Sequence, residues 1–349
     1  MQIGTREDAD RVEREHGTEV AVDYYKVATR LWLPVSLAVK MWLSEADAIE
    51  TSTRNKYEKH VLRFAGWAND PDVDAVDRRL AGRYVSHMKS AVNPQTGALP
   101  AYRTVKSNVS SLSGLWTWLE KRGRLKAQRE NPWARQVGAV PGQRSQKNGR
   151  EVRAITREEA RKWLAAAEAT EQAQADLIIL GWHTGIRAND ICELTSDRVV
   201  WDEKAKAYWL TIEGGKTEAN ARVLPVVSQE AIAVLERRLK AAEDSILFHE
   251  LEPKGPDKKR YWGIQKRINY QRKKVLGSDA PLDFHSLRRA FSVACEDAGL
   301  DPVLVSRLMG HEAPTLAAAV YNKGHVARAR MLKGIQQTDK VLGELARDT

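Results

Sequence analysis

The chain has 349 residues, more than one compact core usually organises, so its length predicts two domains with extensions. Its 56 lysines and arginines against 46 acidic residues give a net charge of +10, which favours a polyanionic partner and leaves nucleic acid, ribosome and acidic membrane open. Two cysteines, Cys192 and Cys295, exclude a disulfide framework or a zinc cluster. No stretch is apolar enough for a membrane span or an export signal, so we expect a soluble, cytoplasmic protein.

The first part of the chain is predicted to be helical. Residues 1–36 carry a helical apolar stripe and are interpreted as an N-terminal arm whose role the sequence does not reveal. Helical patterns over residues 37–131 predict a small all-α domain. Residues 132–153 are polar, basic and rich in glycine, proline and glutamine, which is typical of a flexible linker.

Within this helical domain the local signals are specific. Ser52 and Thr53 are the expected N-caps of one helix. The prolines and glycine of Asn93 to Pro100 predict a loop, and a second helix is expected over Tyr102 to Leu119. An isolated run of basic residues is best interpreted as a solvated face, but beside a polyanion-binding core the run along this helix and at its exit supplies candidate DNA-binding residues: Lys106, Lys121, Arg122 and Arg124.

A second domain is predicted over residues 154–325, again mainly helical. It opens with a capping-box pattern at Thr156. Period-2 alternation within Ala207 to Val226 predicts a β-hairpin with Lys216 near its tip. An Asp301-Pro302 pair predicts the start of a short helix that ends at Met309.

The second domain also carries a strongly basic segment from Lys254 to Lys274. Aromatic residues are interleaved with the basic ones, which suits a helix that follows a phosphate backbone. The candidate DNA-binding residues of this segment are Lys258, Lys259, Arg260, Lys266 and Arg267.

The strongest signal is a series of separate motifs in the second domain. In chain order they are His183-Thr-Gly-Ile-Arg187, Gly215-Lys216-Thr217, His285-Ser-Leu-Arg288, Leu308-Met-Gly-His311 and Tyr321. Gly185 permits a tight turn that presents Arg187 at a helix start, and His285 and Arg288, three residues apart, share one helical face. The motifs therefore predict that two guanidiniums and two imidazoles converge.

Such a group suits phosphoryl transfer. Two arginines can brace the non-bridging oxygens of a phosphate with forked hydrogen bonds as charge builds in the transition state. A cluster of positive donors also stabilises the phenolate of a tyrosine nucleophile, here Tyr321, whose ordinary pKa is ~10. Lys216 could protonate the leaving 5′-oxygen, although lysines at hairpin tips commonly serve solubility instead.

These residues, in this order, resemble those of the tyrosine recombinases, the phage-integrase family. In that resemblance Arg187 and Arg288 correspond to the catalytic arginines, Lys216 to the hairpin lysine, and Tyr321 to the nucleophile. His285 and His311 correspond to the two histidine positions, while Asp190 matches an acidic position of structural character. One departure is a spacing from His311 to Tyr321 that is one residue longer than the commonest family spacing.

The resemblance implies a mainly α protein with a small β-hairpin or sheet, in which a helical core-binding domain and a catalytic domain clamp DNA. It implies site-specific recombination through a 3′-phosphotyrosyl intermediate, without cofactor or metal, for integration or excision of a phage or mobile element. The implied partners are double-stranded DNA with recombination sites, a homotetramer on that DNA, and accessory DNA-bending or directionality factors. Residues 326–349 are interpreted as a tail helix that docks onto a neighbouring protomer.

Two other functions share these sequence features. A type IB topoisomerase uses similar chemistry to relax DNA, and an architectural DNA-binding protein could keep the fold without activity. The complete motif set argues against the second, because a silent protein has no need of the tyrosine. Taken singly, each histidine would more often be structural, and the tryptophans, including Trp116, Trp118, Trp163 and Trp182, are expected in cores rather than as a base-stacking platform.

Overall fold

The computed structural model describes the chain apart from residues 1, 19–20, 23, 26–31, 47–48, 96, 127–129, 139–145, 148–149, 214–220, 312–327 and 346–349. The chain forms two compact units, residues 1–143 and 144–349. None of the described helices is long and apolar enough to cross a bilayer.

The first unit is built from helices. They are α1 (Gln2–His16), α2 (Val35–Ser44), α3 (Thr51–Trp67), α4 (Arg78–Ser90) and α5 (Tyr102–Lys121). The predicted helix over 102–119 is confirmed. The core of the first unit is aromatic: the ring centroid of Phe64 lies 5.1 Å from that of Tyr84 and 4.8 Å from that of Trp133. Trp133, two residues into the segment interpreted as a linker, is therefore part of this core.

The predicted caps of α3 are wrong. The helix begins at Thr51, and Glu50 occupies the N-cap position without a side-chain hydrogen bond. The carbonyl of Glu50 accepts the first helical bonds, from the amides of Thr53 and Arg54 at 2.9 and 3.0 Å. Ser52 and Thr53 consequently lie inside the first turn, where they cannot act as N-caps.

The second unit packs helices around a small antiparallel sheet. Its helices are α6 (Arg157–Glu168), α7 (Gln172–Thr184), α8 (Ala188–Cys192), α9 (Gln229–Ala241), α10 (Tyr261–Leu276), α11 (His285–Asp297), α12 (Pro302–Met309) and α13 (Arg328–Leu342). The strands are β1 (Gln146–Lys147) and β2 (Arg150–Glu151), which pair with each other, then β3 (Val199–Asp202), β4 (Ala207–Ile212) and β5 (Arg222–Val226).

The sheet of the second unit has the order β3-β4-β5. Strands β4 and β5 are the arms of the predicted hairpin, with Leu210 opposite Leu224. Strand β3, which was not predicted, pairs with the other edge of β4. Residues 214–220, which include the predicted tip and Lys216, lie outside the described residues.

Several local predictions are confirmed. Thr156 and Glu159 form the capping box of α6. Asp301 caps α12, which starts at Pro302 and ends at Met309. Both cysteines are buried and free. The tryptophans Trp116, Trp163 and Trp182 are also buried, whereas Trp118 is half-buried and donates to Glu45 at 3.0 Å.

The basic segment from Lys254 is helical only in part. Residues 254–260 form a turn closed by an antiparallel bridge between Lys254 and Lys259, and α10 begins at Tyr261. Arg260 is held there by internal bonds, because its Nη1 donates to the carbonyl of Leu251 at 2.8 Å and its amide to Glu193 at 3.0 Å.

An ionic cluster with a buried Asp176 and Arg238 at its centre joins α7 to α9 and to the segment that follows α9. Asp176 is fully buried and accepts from Nε of Arg238 at 2.6 Å and from Arg237. Arg238 also pairs with Glu250 at 2.6 Å. In this Asp176 cluster two guanidiniums face two carboxylates, so the charges balance.

Candidate active site

Three of the sequence motifs meet around one buried side chain. Arg288 lies in the first turn of α11 and is only 1% exposed. Its Nη1 donates to the carbonyl of Gly185 at 2.6 Å, and its Nη2 donates to the carbonyl of Met309. The turn after α7 and the turn after α12 are therefore both fixed to α11 through one guanidinium.

The turn after α7 depends on a glycine. Gly185 adopts a left-handed conformation with φ of +60°, and a Cβ there would lie 2.5 Å from the ring of Phe291. This turn places Arg187 at the N-cap position of α8, as predicted. The Nη1 of Arg187 lies 3.8 Å from the carboxylate of Asp190, so this ion pair is loose.

The turn after α12 places His311 beside Arg288. The Nε2 of His311 lies 3.0 Å from Nη2 of Arg288. Because a guanidinium can only donate, Nε2 must be the acceptor, and the neutral ring carries its proton on Nδ1. Partial burial, followed by the positive charges of Arg288 and Arg187, lowers the pKa of His311 to about 4, which agrees with a neutral imidazole at pH 7.

His285 is exposed at the start of α11. Desolvation and the charges of Arg288 and Arg289 lower the pKa of its imidazole. Together with Arg187 and Arg288 it lines a cavity of about 300 Å³, whose other walls come from α8 and α10. His285 is therefore a neutral base or donor at the mouth of this cavity.

A third arginine belongs to the same site and was missed by the sequence analysis. Arg222, the first residue of β5, is buried, and its Nε donates to the carbonyl of Leu308 at 2.9 Å. Its guanidinium lies against Gly310, where a Cβ would come within 2.5 Å of Nη1. The available signal was a charged residue at the start of an otherwise apolar strand, directly after the hairpin loop.

The site has an excess of positive charge. We name Arg187, Arg222 and Arg288, with Asp190 as their carboxylate neighbour, the arginine cluster. Burial, then the charges of Arg187 and Arg222, lowers the pKa of Arg288 to about 9, and burial together with Arg187 lowers that of Arg222 to about 10. Arg187 and Arg288 line the cavity, and an anion placed there would reduce the repulsion among the three guanidiniums.

The back of the site is held by a buried histidine. His183, near the end of α7, lies with Nδ1 2.9 Å from Asp339 of α13 and Nε2 2.8 Å from Glu230 of α9. Burial opposes protonation, but the two carboxylates outweigh it and raise the pKa of His183. His183 is therefore a structural cation. Among the described residues, no group of side chains is arranged to hold a metal ion.

Helix α13 packs on the unit to which it belongs. Met331, Ile335 and Leu342 are buried against the core of the second unit. The indole of Trp182 donates to the carbonyl of Gly343 at 3.1 Å. In the single chain the tail helix therefore packs in cis, and its docking onto a neighbouring protomer stays a prediction.

Two of the predicted catalytic residues, Lys216 and Tyr321, lie outside the described residues. The structure brings together the other four: Arg187, His285, Arg288 and His311. His311 is the last described residue before the segment that contains Tyr321.

The predicted DNA-binding residues are placed differently in the two units. Lys106 and Lys121 on α5, and Arg124 beyond it, are exposed, while Arg122 pairs with Glu45 at 2.8 Å. In the second unit Lys258, Lys259 and Lys266 are exposed. Arg267 forms a bidentate pair with Glu171 at 2.7 and 3.0 Å, so DNA would have to compete for it.

Comparison with known proteins gives consistent matches. The model of the phage integrase family matches residues 153–328. Tyrosine recombinase XerA of Thermococcus kodakarensis is 27% identical over 199 residues, and the match covers 55% of this chain and 66% of that protein.

Solved structures share the fold. The Tn1549 transposon integrase in complex with circular intermediate DNA aligns with a TM-score of 0.58 at 17% identity, covering 86% of this chain and 99% of that one. A lambda integrase tetramer bound to a Holliday junction aligns with a TM-score of 0.59 at 16% identity, covering 84% of this chain and 79% of that one. At these identities the structural matches establish the fold.

Proposed function

Because this chain belongs to the phage integrase family, we propose that it is a site-specific DNA recombinase that cuts and rejoins DNA through a 3′-phosphotyrosyl intermediate. The substrate is double-stranded DNA, and the protein acts as a homotetramer on two recombination sites. The named relatives are a tyrosine recombinase and integrases in complex with DNA, which supports this choice over DNA relaxation or a purely architectural role.

The observation that carries the proposal is the arginine cluster. Arg187 and Arg288 line one cavity with His285, and His311 contacts Arg288 at 3.0 Å. A backbone phosphate placed in this cavity would neutralise part of the positive charge. As the phosphorus becomes pentacoordinate, its non-bridging oxygens gain charge, and the guanidiniums bind them more strongly.

In this reaction the hydroxyl oxygen of Tyr321 forms a bond to phosphorus while the bond from phosphorus to the 5′-oxygen breaks. His285, whose pKa is lowered, is free to accept the tyrosine proton. Lys216 donates a proton to the departing 5′-oxygen. The reverse reaction with a 5′-hydroxyl of the partner strand rejoins the DNA, so the phosphodiester bond energy is conserved and no cofactor is required.

The structure also supports a division of labour between the histidines. His311 already accepts a hydrogen bond from Arg288, which fixes the orientation of that guanidinium. Its Nδ1 proton is available for a phosphate oxygen. His183, although it opens the first motif, is enclosed by Asp339 and Glu230 and supports the turn from behind.

A nicked suicide substrate tests the proposal, because loss of the short strand after cleavage traps the covalent intermediate. The wild-type protein should form a protein–DNA adduct that survives denaturation, and Tyr321→Phe should bind the same DNA without forming it. Tyr270→Phe is a matched control, since Tyr270 is 71% exposed on α10 of the same unit. An adduct that persists in Tyr321→Phe would contradict the assignment of the nucleophile.

A further inference from the structure

Another buried arginine of the same unit, Arg272, has none of the partners that hold Arg288. Arg272 on α10 is only 3% exposed, yet its Nε and Nη1 have no hydrogen-bond partner in the part of the chain that the structure describes. A buried guanidinium without a partner is strongly destabilising, because it loses its hydration and gains nothing in return. Such a group indicates a ligand that the isolated chain lacks.

The nearest acid does not satisfy Arg272. The negative charge of Asp283 favours the charged form of Arg272, but burial dominates and lowers the pKa of the guanidinium. The carboxylate of Asp283 is 3.5 Å from the hydroxyl of Ser286 and 3.5 Å from Nη1 of Arg289. It is therefore directed to the first turn of α11 and makes no ion pair with Arg272.

Arg272 lines a cavity of about 310 Å³ between the end of α10 and the loop that leads to α11. This volume is at the lower end of the range for small-ligand sites. Asn269, Lys273 and Ser278 also line it and can donate hydrogen bonds to an anion, while Asp279, an exposed carboxylate, lies at its edge. The donors outnumber this one opposing charge.

The cavity is a neighbour of the candidate active site. Asn269 lines both cavities, and Gln265, four residues earlier on α10, lines the active-site cavity. Because residues four apart on a helix share a face, the two cavities lie in a row along α10. Gln265 and Arg272 are seven residues apart, which corresponds to roughly 10 Å of helix.

We propose that this cavity is a second anion site, in which Arg272, assisted by Lys273 and Ser278, binds the oxygens of a phosphate group. Either a DNA backbone phosphate near the one that is cleaved or a free phosphate provides that chemistry. The DNA source rests on the proposed recombinase function, whereas the anion site itself does not.

The first arm of the test uses inorganic phosphate and thermal unfolding of the full chain, with sodium chloride at equal ionic strength as reference. Phosphate should raise the Tm of the wild-type protein, and the rise should be smaller in Arg272→Met. Any phosphate that binds among the active-site arginines contributes equally to both proteins, so the difference reports the second site. Lys274→Met, which removes an exposed charge of the same helix outside the cavity, should behave like the wild type.

Two further results sharpen this arm. Without phosphate, Arg272→Met should be at least as stable as the wild type, because it removes a buried unpaired charge while keeping an unbranched side chain. Asp279→Asn should increase the response to phosphate, because it removes the opposing carboxylate. Equal phosphate responses in wild type, Arg272→Met and Asp279→Asn would overturn the proposal.

The second arm identifies the source of the phosphate. Binding of a plain DNA duplex is measured at several salt concentrations, with the Tyr321→Phe change present throughout so that the DNA is not cut. If the ligand is a DNA phosphate, Arg272→Met should reduce the slope of log K against log salt by about 1. An unchanged slope with an intact phosphate response would assign the site to a free phosphate group. If the wild type forms no covalent adduct, the recombinase proposal fails. The phosphate-dependent unfolding of wild type and Arg272→Met still tests the anion site in that case.

Discussion

The second unit contains two groups of arginines, each built around buried guanidiniums, that differ in how their charge is balanced. In the Asp176 cluster, Arg237 and Arg238 face the carboxylates of Asp176 and Glu250, so each buried charge has a counter-charge. In the arginine cluster, Arg222 and Arg288 are held by backbone carbonyls, and Asp190 is the carboxylate nearby. A carbonyl fixes a guanidinium without cancelling its charge, so the second cluster stays ready for an anion.

This difference in charge balance indicates different roles: the Asp176 cluster supports the fold, and the arginine cluster is suited to bind a ligand. A balanced cluster stabilises the fold and has little left to offer a ligand, because its hydrogen-bonding capacity is used. An unbalanced cluster lowers the free energy of unfolding in the absence of a ligand. Its positive charges stabilise the negative charge that develops on a bound phosphate. The two clusters should therefore respond differently to substitution.

The largest expected effect on stability comes from the balanced cluster. Asp176→Asn leaves Arg238 buried without its main partner and should lower the free energy of unfolding by about 3–5 kcal/mol. Cleavage by the folded protein should be retained, since Asp176 does not line the active-site cavity. Urea unfolding measures the first quantity and the suicide substrate the second.

The control for this change is Glu158→Gln on α6. It breaks an exposed ion pair with Lys162 at 2.7 Å and should alter stability far less. Similar losses in the two variants would show that burial of the Asp176 cluster is energetically unimportant, and the comparison between the clusters would fail.

The arginine cluster should show the reverse pattern. Arg288→Lys keeps a positive charge but loses the fork that reaches the carbonyls of Gly185 and Met309 while facing the cavity. We expect the rate of adduct formation at saturating DNA to fall roughly 10²- to 10³-fold, the effect of removing a donor to a developing oxyanion. Single-turnover cleavage of the suicide substrate measures it.

Arg289→Lys, at the next position of α11, is the matched control. Arg289 is partly exposed and lies 3.5 Å from Asp283, so its replacement should change the rate little. If the two variants cleaved equally fast, Arg288 would have no special part in the reaction.

The sequence predicted the members of the arginine cluster that belong to motifs, and for a physical reason. Gly185 and Gly310 mark left-handed turns, and the spacing of His285 and Arg288 marks one helical face, so local rules were sufficient. Arg222 could not be found in this way, because its role arises from contact with Leu308, 86 residues along the chain.

The same limit applies to Arg272 and to strand β3. Arg272 lies in the basic segment that the sequence predicted to follow a phosphate backbone, and its burial depends on the loop that follows α10. Strand β3 is four residues long and becomes a strand by pairing with β4, which short-range periodicity does not reveal. The sequence therefore predicted the turns, the motif order and the helix caps at Thr156 and Asp301, but it predicted neither the N-cap of α3 nor long-range burial.

The smallest expected effect concerns His183, the cation behind the active site, which follows the balanced pattern because two carboxylates enclose it. Its pKa is raised in the folded protein, so its contribution to stability is complete below the unfolded value of ~6.5 and is lost as pH rises through the folded pKa. His183→Gln cannot titrate, and the stability difference between wild type and variant should therefore be greatest near pH 6 and shrink toward pH 9. His249→Gln, at a partly exposed histidine 3.4 Å from Glu243, serves as the control in the same urea titrations. If the stability difference between wild type and His183→Gln stayed constant over this range, His183 would hold α13 by packing alone. Its ion pairs with the two carboxylates would then contribute nothing to the stability of this region.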